Sequence, residues 1–326
     1  MKQNMKMKEI KTAINNARSV AIMGHKKGDT DCYGSAFALA TGLVQMGKTV
    51  QVIALDDFPE SLNYLFLYYP GDIVQSVDKT DLLILLDSSD LQRTLDPALV
   101  KALKVGGSKV VQLDHHTTGD LVEFVDSSYI DMEASSTSEI VYRLLGELDI
   151  KIDKNIATCL LAGIVGDTTS FQNQNTTEES FAISSELMKR GARLPTIISN
   201  TFGEREMDVL KIWGLAMERL KIDKDSGVVS SYLTFDDISS YGLLADATSG
   251  IVNFLNSIKG AKAVILITEE ERGTIKVSMR TRDEHTDVSS IAKQLGGGGH
   301  IKAAAFAFPG SLKILTEGPK NHIVIV

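Results

Sequence analysis

Acidic and histidine side chains follow four separate apolar segments of this 326-residue chain. They are His25, Asp29 and Asp31 after residues 19–24, Asp87 after 82–86, Asp114, His115 and His116 after 110–113, and Asp167 after 155–166. A single acid of this kind is more often a turn former or a helix cap, and Asp31 is placed to cap a helix beginning near Gly34. Four occurrences of the same feature, with three of the six histidines among them, favour a metal site.

The donor types indicate which ions such a site would take. All are carboxylates and imidazoles, and we expect the nearby lone thiol, Cys32, to be a packing residue. Oxygen-rich sites with some imidazole suit Mn²⁺ better than all-oxygen Mg²⁺ sites or thiolate-built Zn²⁺ sites do. Two histidines and four aspartates exceed the needs of one ion, so we expect two ions about 4 Å apart with a bridging carboxylate. Such a pair activates water for phosphoester hydrolysis.

Alternating strand and helix patterns in the first half of the chain must position these side chains. Continuous apolar runs of strand length are typical of a parallel sheet covered on both faces, and their alternation with helices predicts a doubly wound α/β domain. Ligands bind at the carboxyl ends of the strands in such sheets, which is where these acids and histidines fall. The predicted strands are 19–25, 49–55, 81–87 and 109–116, and the predicted helices are 34–48, 136–148 and 155–168.

The pattern changes after about Gly191. Residues 203–222 predict one long amphipathic helix that bridges two domains. Strands are expected at 227–235, 261–270 and 273–282, and the last two predict a hairpin.

A glycine run near the end of the chain offers a different chemistry. Such runs are most often flexible linkers, but an apolar segment of small residues follows Gly296–Gly299 and His300. The backbone N–H groups of this run can therefore approach an anion closely. Arg280 lies on a neighbouring predicted strand, where its guanidinium either binds a phosphate or faces solvent.

The composition excludes several classes of protein. The net charge is -8 without a dense basic run, so we expect no long nucleic-acid duplex as a partner. Two distant cysteines, Cys32 and Cys159, indicate neither a disulfide framework nor a zinc ribbon. No segment is apolar enough for a membrane span, and the N-terminal segment lacks the apolar core of a secretory signal. We therefore expect a cytoplasmic protein without membrane contact.

These motifs resemble those of the DHH phosphoesterase superfamily, which is named for its Asp-His-His. The four N-terminal motifs are HKKGDTDCYGS, the acid of LLDSSD, LDHH and GIVGDTTSF. VSMRTRDEHTDVSSIAKQLGGGGHIKAAA resembles the DHH-associated C-terminal domain. The subgroup that the chain resembles is the stand-alone nanoRNase (oligoribonuclease) and pAp phosphatase type. This implies a bilobal α/β protein with a doubly wound, mainly parallel catalytic domain at 1–190, a linker with a long helix at 191–222, and a smaller mixed-sheet substrate-binding domain at 223–326.

The resemblance also implies a role for each candidate residue. One Mn²⁺ ion would be held by His25, Asp29 and Asp87, and a second by Asp31, Asp87, His115 and Asp167, with Mg²⁺ or Co²⁺ as substitutes. His116 would be the catalytic residue facing the phosphoryl group, and Asp114 would orient a histidine. The terminal phosphate or nucleotide of the substrate would be bound by Arg280, Gly297, Gly298, Gly299 and His300.

The implied activity is hydrolysis of very short RNA, pApA-type dinucleotides or 3′-phosphoadenosine 5′-phosphate (pAp) by attack of a metal-activated hydroxide on phosphorus. Digestion could run in either direction, and the resemblance makes a homodimer plausible. Two alternatives remain open: an inorganic pyrophosphatase or exopolyphosphatase of the same superfamily, and a nucleotide-binding sensor that has lost catalysis. The chain departs from the family in its KKG loop, at Thr169 and at Ala305, where proline or glycine is common. These departures affect loop shape and substrate choice.

Overall fold

A computed structural model of the protein describes residues 2–54, 58, 60–203, 206–241, 245–248, 250–317 and 320–325. The chain divides into two units, residues 1–204 and residues 205–326. The segment 191–222, which we predicted as a linker, is shared between these units. Every helix in the described part of the chain is too short or too polar to span a lipid bilayer.

The first unit is built on a six-stranded sheet in which all strands are parallel. The strands are β1 (Ser19–Met23), β2 (Thr49–Ile53), β3 (Asp72–Val74), β4 (Leu82–Leu86), β5 (Lys109–Asp114) and β6 (Ser127–Ile130). Their order, β3-β2-β1-β4-β5-β6, reverses direction between β1 and β4. A ligand crevice forms at such a reversal, outside the carboxyl ends of the strands. The predicted doubly wound α/β fold is therefore confirmed.

Helices connect and cover these strands. They are α1 (Lys2–Asn16), α2 (Thr30–Gln45), α3 (Pro97–Val105), α4 (Leu121–Phe124), α5 (Thr137–Glu147), α6 (Lys154–Asp167), α7 (Glu178–Lys189) and α8 (Leu194–Ile198). The helices predicted at 34–48, 136–148 and 155–168 correspond to α2, α5 and α6. The helix α2 begins four residues earlier than predicted, because its capping residue lies upstream of Asp31.

The strand β4 lies between two apolar layers, as its continuous apolar sequence predicted. All five of its residues are buried. Leu82, Ile84 and Leu86 pack into the larger cluster on one face of the sheet, and Leu83 and Leu85 pack into the cluster on the other face. This alternation follows from the two-residue period of a strand. The sequence pattern missed β3 and β6, since β3 is only three residues long and β6 is rich in serine.

The second unit contains a mixed six-stranded sheet of order β11-β12-β10-β9-β8-β7. Among the described strands of this sheet, β8 and β9 pair in parallel and the other neighbours pair antiparallel. The strands β9 and β10 form the predicted hairpin. A separate hairpin joins β13 and β14. The strands are β7 (Lys221–Ile222), β8 (Val228–Leu233), β9 (Ala263–Glu271), β10 (Thr274–Arg280), β11 (Gly298–His300), β12 (Ala303–Pro309), β13 (Leu312–Glu317) and β14 (Lys320–Ile325).

Four helices accompany this second sheet. They are α9 (Met207–Glu218), α10 (Phe235–Ser239), α11 (Ile251–Leu255) and α12 (Val288–Gln294). The helix α9 is shorter than the predicted span 203–222, because residues 221 and 222 pair with β8 as strand β7.

Replacement of a central β4 side chain tests whether this strand carries the core of the first unit. Ile84 is fully buried, so Ile84→Ala should lower the free energy of unfolding in a urea titration by about 2–5 kcal/mol. Val105 at the end of α3 is 90% exposed, and Val105→Ala should change the same free energy by less than about 0.5 kcal/mol. Equal effects of the two substitutions would contradict the assignment of Ile84 to the core.

Candidate metal centre

The acids and histidines singled out in the sequence gather at the point where the strand order reverses. His25 follows β1, Asp87 follows β4, and Asp114–His116 lie at the end of β5. Helix termini bring the remaining acids: Asp29 and Asp31 lie at the start of α2, and Asp167 is the last residue of α6. The parallel sheet and its helices thus bring residues that are far apart in sequence into one cluster.

Asp87 lies at the centre of this cluster. Its backbone is left-handed, with φ 57°, and its N–H group donates to the carbonyl oxygen of Leu113 at 3.1 Å. Its buried carboxylate reaches two histidines through different oxygens: Oδ2 lies 3.5 Å from Nε2 of His25, and Oδ1 lies 3.5 Å from Nε2 of His115. A carboxylate with one oxygen toward each neighbour has the arrangement that a bridging ligand requires.

Three groups of potential ligands share Asp87. They are His25, Asp29 and Asp87; Asp31, Asp87 and His115; and Asp87, Asp114 and His116. In each group the ligand atoms lie within 4.8 Å of one another. Asp167 adds a carboxylate beside the second group, because its Oδ2 lies 3.6 Å from Nε2 of His115.

The first acid of the H-x3-D-x-D motif also has a structural task. Asp29 is the N-cap of α2, and its Oδ1 accepts hydrogen bonds from the N–H groups of Asp31 and Cys32 at 3.0 and 3.1 Å. The capping role that we considered for Asp31 therefore belongs to Asp29. Asp31 lies in the first turn of the helix and is 1% exposed, pointing into the cluster.

The N-terminus of α5 donates hydrogen bonds to two of the clustered acids. The sequence alone did not predict this role for the helix. The N–H groups of Thr137 and Ser138 donate to the two carboxylate oxygens of Asp31 at 2.6 and 2.9 Å. The Thr137 hydroxyl donates to Oδ1 of Asp87 at 3.0 Å. Helix N-termini favour negative charge, so this turn stabilises carboxylates that burial would otherwise destabilise. The sequence signal is the segment SSTSE at residues 135–139, which by itself indicates only the start of a helix.

The close approach of α6 to this region requires a glycine. A Cβ atom on Gly163 would lie 1.9 Å from Oγ of Ser138 and 2.5 Å from Oδ1 of Asp31. Neither distance is compatible with a side chain, so only glycine lets α6 pass against α2 and α5 here.

A strained turn after α6 orients the last acid. Oδ2 of Asp167 accepts a hydrogen bond from the side-chain amide of Asn175 at 2.9 Å, and the same amide donates to the carbonyl oxygen of Ser135 at 2.8 Å. Thr169 and the two residues after it all have left-handed backbones, with φ between 48° and 63°. This conformation explains why glycine suits position 169 in the family that the chain resembles, and why threonine there carries a strain of about 1 kcal/mol.

The two adjacent histidines occupy different environments. The side chain of His115 is 3% exposed and has Nε2 near both Asp87 and Asp167. The side chain of His116 is 22% exposed, and its Nδ1 lies 2.8 Å from Oδ1 of the fully buried Asp114. Asp114 also accepts a hydrogen bond from the backbone N–H of His116 at 3.1 Å. Asp114 therefore fixes the orientation of the more exposed ring.

The pKa values of the clustered residues are set by burial and by the charges of their neighbours. Burial disfavours the charged form of each histidine, but neighbouring carboxylates outweigh it and raise the pKa of His25, His115 and His116 to about 9. Burial, followed by the repulsion of other carboxylates, raises the pKa of Asp31 well above its usual range. Burial opposes ionisation of Asp87 as well, but the histidines around it lower its pKa.

These observations fit the binding of divalent cations. The contacts of 3.5–3.6 Å between histidine nitrogens and carboxylate oxygens are too long for hydrogen bonds. They match the separation of roughly 3.0–3.5 Å between two ligands bound to one ion at about 2.1 Å. Burial raises the pKa of Cys32 well above its usual value, so that it stays a neutral thiol and leaves a donor set of carboxylates and imidazoles.

The residues predicted to bind substrate in the second unit lie on its sheet. Gly298 and Gly299 belong to the edge strand β11, which pairs with β12 through Ala304 and Ala305. A Cβ atom on Gly297 would lie 2.2 Å from the carbonyl oxygen of Ala305, so the glycine run allows close strand pairing and is not a linker. His300 ends β11 and is exposed.

Arg280 ends strand β10 in this second unit. Its Nε donates to the side-chain oxygen of Asn253 at 2.7 Å, and its Nη1 donates to the carbonyl oxygen of Met279 at 2.9 Å. Burial lowers the pKa of Arg280 to about 10. The guanidinium is thus held in a fixed orientation by neutral partners.

The fold and the donor cluster define an α/β protein with a cluster of potential metal ligands at the switch point of a parallel sheet. Residues 19–164 match the N-terminal domain of the DHH family, and residues 225–316 match the DHHA1 domain. The chain therefore carries a DHH domain followed by a DHHA1 domain.

Several known proteins are similar over nearly the whole chain. The bifunctional oligoribonuclease and PAP phosphatase NrnA of Bacillus subtilis is 27% identical, with 92% of each chain covered. The protein of the same name from Thermus thermophilus is 27% identical over 89% of this chain and 84% of that one. The structure of an exopolyphosphatase-related protein from Bacteroides fragilis superposes with a TM-score of 0.83 at 24% identity, covering 94% and 91% of the two chains. This last likeness concerns the fold.

The raised histidine pKa values predict how cation binding depends on pH. Below about pH 9 the three histidines of the ion-free cluster carry protons, and a cation must displace the proton from each histidine that binds it. The affinity for Mn²⁺ should therefore rise from pH 6 to pH 8, by about tenfold per pH unit for each proton released. Calorimetry in buffers of different ionisation enthalpy measures both the affinity for Mn²⁺ and the number of protons released on binding. An affinity that does not change with pH would contradict the protonated state of the histidines.

Removal of the Thr137 hydroxyl tests the support given by α5. Thr137→Val keeps the volume and the backbone N–H groups but leaves Oδ1 of Asp87 without this donor. Mn²⁺ affinity should fall by about 10- to 100-fold, because partners that orient a ligand have effects of this size. Thr137→Ser is the matched control and should bind Mn²⁺ like the native protein. Equal affinities of the valine and serine variants would show that the hydroxyl is not needed.

Proposed function

We propose that this chain is a divalent-metal-dependent phosphoesterase that hydrolyses very short oligoribonucleotides and 3′-phosphoadenosine 5′-phosphate, with Mn²⁺ as its metal. The observation that carries the proposal is Asp87, whose two oxygens face His25 and His115 and which shares a group of potential ligands with each of these histidines. The names of the NrnA relatives, which state oligoribonuclease and PAP phosphatase activity, support this substrate class.

The distances within the cluster support the following assignment of ligands. One ion would be held by His25, Asp29 and Asp87, and the other by Asp31, Asp87, His115 and Asp167. Bound ions would lower the pKa of a water molecule and would place positive charge beside the phosphoryl oxygens. The chain itself keeps the ligand atoms in place through Thr137, Ser138 and Asn175, so that little reorganisation is required as the ions bind.

His116 is proposed as the catalytic residue. Burial disfavours its charged form, but the hydrogen bond with Asp114 outweighs this and raises its pKa to about 9, so the ring is protonated at neutral pH. Because Asp114 occupies Nδ1, the Nε2 proton is the one that His116 can donate to a phosphoryl oxygen or to the leaving sugar oxygen. The greater exposure of its side chain, 22% against 3% for His115, supports this division of roles.

The second unit is proposed to bind the remainder of the substrate. Arg280 presents a positive charge without a carboxylate partner among the described residues, and Asn253 fixes its orientation. Gly297, Gly298, Gly299 and His300 form the neighbouring edge strand, where backbone groups of a sheet edge are accessible to a ligand. A phosphate or nucleotide distant from the scissile bond would bind to these residues.

Two substitutions test the catalytic assignment. Asp87→Asn should reduce the rate of pAp hydrolysis in Mn²⁺ by more than about 100-fold, because it removes the shared ligand. His116→Ala should reduce kcat by about 10²- to 10⁴-fold, the usual contribution of a proton donor, and should leave Mn²⁺ affinity nearly unchanged. Asp78→Asn, at an exposed position, is the control. Native turnover in both site variants would refute the proposal.

The substrate is decided by a panel in Mn²⁺ that contains pAp, pApA, cyclic di-AMP, short RNA and pyrophosphate. Turnover of pAp or of very short RNA is the expected result. Exclusive turnover of pyrophosphate would instead identify a pyrophosphatase, and tight binding without turnover would identify a sensor.

A further inference from the structure

A small cavity of about 80 Å³ opens beside the ligand cluster, and one of its lining residues has no role so far. His25, Asp29, Asp87 and His116 line the cavity together with Arg93. Arg93 is the last residue of a short 3-10 turn, Leu91–Arg93, which follows β4. The sequence analysis did not single out this residue, because an arginine in a polar loop is usually a solvated surface residue.

Backbone hydrogen bonds hold Arg93 beside His25. The carbonyl oxygen of Arg93 accepts from the N–H group of Lys26 at 2.9 Å, and the N–H group of Leu95 donates to the carbonyl oxygen of Gly24 at 2.9 Å. The residue between them, Thr94, forms a β-bridge with His25. Backbone hydrogen bonds therefore link the turn that carries Arg93 to the loop that carries His25 beside the cavity.

The guanidinium of Arg93 has no ion-pair partner within the described part of the chain. No carboxylate among the described residues lies within ion-pair distance of its guanidinium. The nearby Asp90 is engaged elsewhere, since its oxygens accept hydrogen bonds from the Ser89 hydroxyl and from the N–H group of Asp120. Arg93 is exposed at the cavity and retains its full donor capacity.

A guanidinium in this place favours an anion between itself and the cluster. It has five donors and no acceptor, so it cannot be a metal ligand, and beside bound cations it would be repelled. An anion located between them removes this repulsion, and the planar fork of a guanidinium matches the oxygens of a phosphate. Bound cations and Arg93 would then contact different oxygens of the same group.

We propose that Arg93 binds the phosphoryl group undergoing hydrolysis, from the cavity that it lines together with Asp29 and Asp87. This inference rests on the proposed phosphoesterase function and adds a substrate-binding residue to it. Arg93 contributes to substrate affinity and acts separately from the residues that hold the ions.

The test measures phosphate binding and metal binding in the same variants. Arg93→Ala should weaken the affinity of the Mn²⁺-loaded protein for inorganic phosphate by about 10- to 100-fold and raise KM for pAp by a similar factor. Mn²⁺ affinity and thermal stability should stay at native values. Arg93→Lys should recover part of the phosphate affinity, because it keeps the charge but lacks the fork.

Two controls match the local and the electrostatic change. Gln92→Ala alters the neighbouring exposed side chain of the same turn, and Lys101→Ala removes one positive charge from the exposed surface of α3. Both should bind phosphate like the native protein. If Arg93→Ala binds phosphate as these controls do, or if it loses Mn²⁺ affinity in parallel, the inference is wrong.

The phosphate measurement also separates this inference from the proposed function. If native protein hydrolyses neither pAp nor short RNA but binds phosphate through Arg93, the substrate proposal fails and the inference stands. If native protein hydrolyses these substrates and Arg93→Ala keeps the native KM, the substrate proposal stands and the inference fails.

Discussion

The candidate site depends on one buried carboxylate, that of Asp87. It follows β4, one of the two central strands of the sheet, whose residues are buried on both faces. The left-handed backbone at Asp87 turns the chain sharply out of the sheet, and its bond to Leu113 keeps the turn tied to β5. A buried charge is costly unless it is paired. Asp87 is paired with histidines on both sides, so the cost of burial fixes the positions of His25 and His115 as well.

The second constraint is repulsion among the acids. Burial and the neighbouring carboxylates disfavour the charge of Asp31, yet two N–H groups of α5 are directed at its oxygens. The helix terminus therefore supplies partial positive charge where several negative charges converge. Gly163 makes the arrangement sterically feasible, since a side chain there would overlap Asp31. The packing of α5 and α6 and the stabilisation of the Asp31 carboxylate therefore depend on the same contacts.

The two histidines of the Asp-His-His motif illustrate how neighbours in sequence diverge in role. His115 is enclosed by carboxylates, whereas His116 is more exposed and is oriented by Asp114. Arg93 approaches the same cavity from the turn after β4, which is bonded to the loop of His25. Negative groups that can hold cations and a positive group that can hold an anion therefore line the same small cavity, a combination that suits phosphoryl chemistry.

The sequence by itself determined the class of the first domain and most of the donor set. The apolar run of β4 is typical of a strand covered on both faces, and acids that follow the strands of a parallel sheet meet at one edge of it. Local pattern also predicted the β9–β10 hairpin. It could not predict that Asp29 rather than Asp31 caps α2, because both acids precede the predicted helix start near Gly34.

Only the tertiary structure decided which groups support the donors. Thr137 lies 50 residues from Asp87, Asn175 lies 40 residues from Ser135, and Arg93 reaches the cavity through a turn without a regular pattern. Periodicity reports the face that a residue presents to the core, but it carries no information on which distant segment arrives at that face. Hydrogen bonds between such segments form only when the sheet order and the helix crossings are in place, and for that reason they are visible in the fold alone.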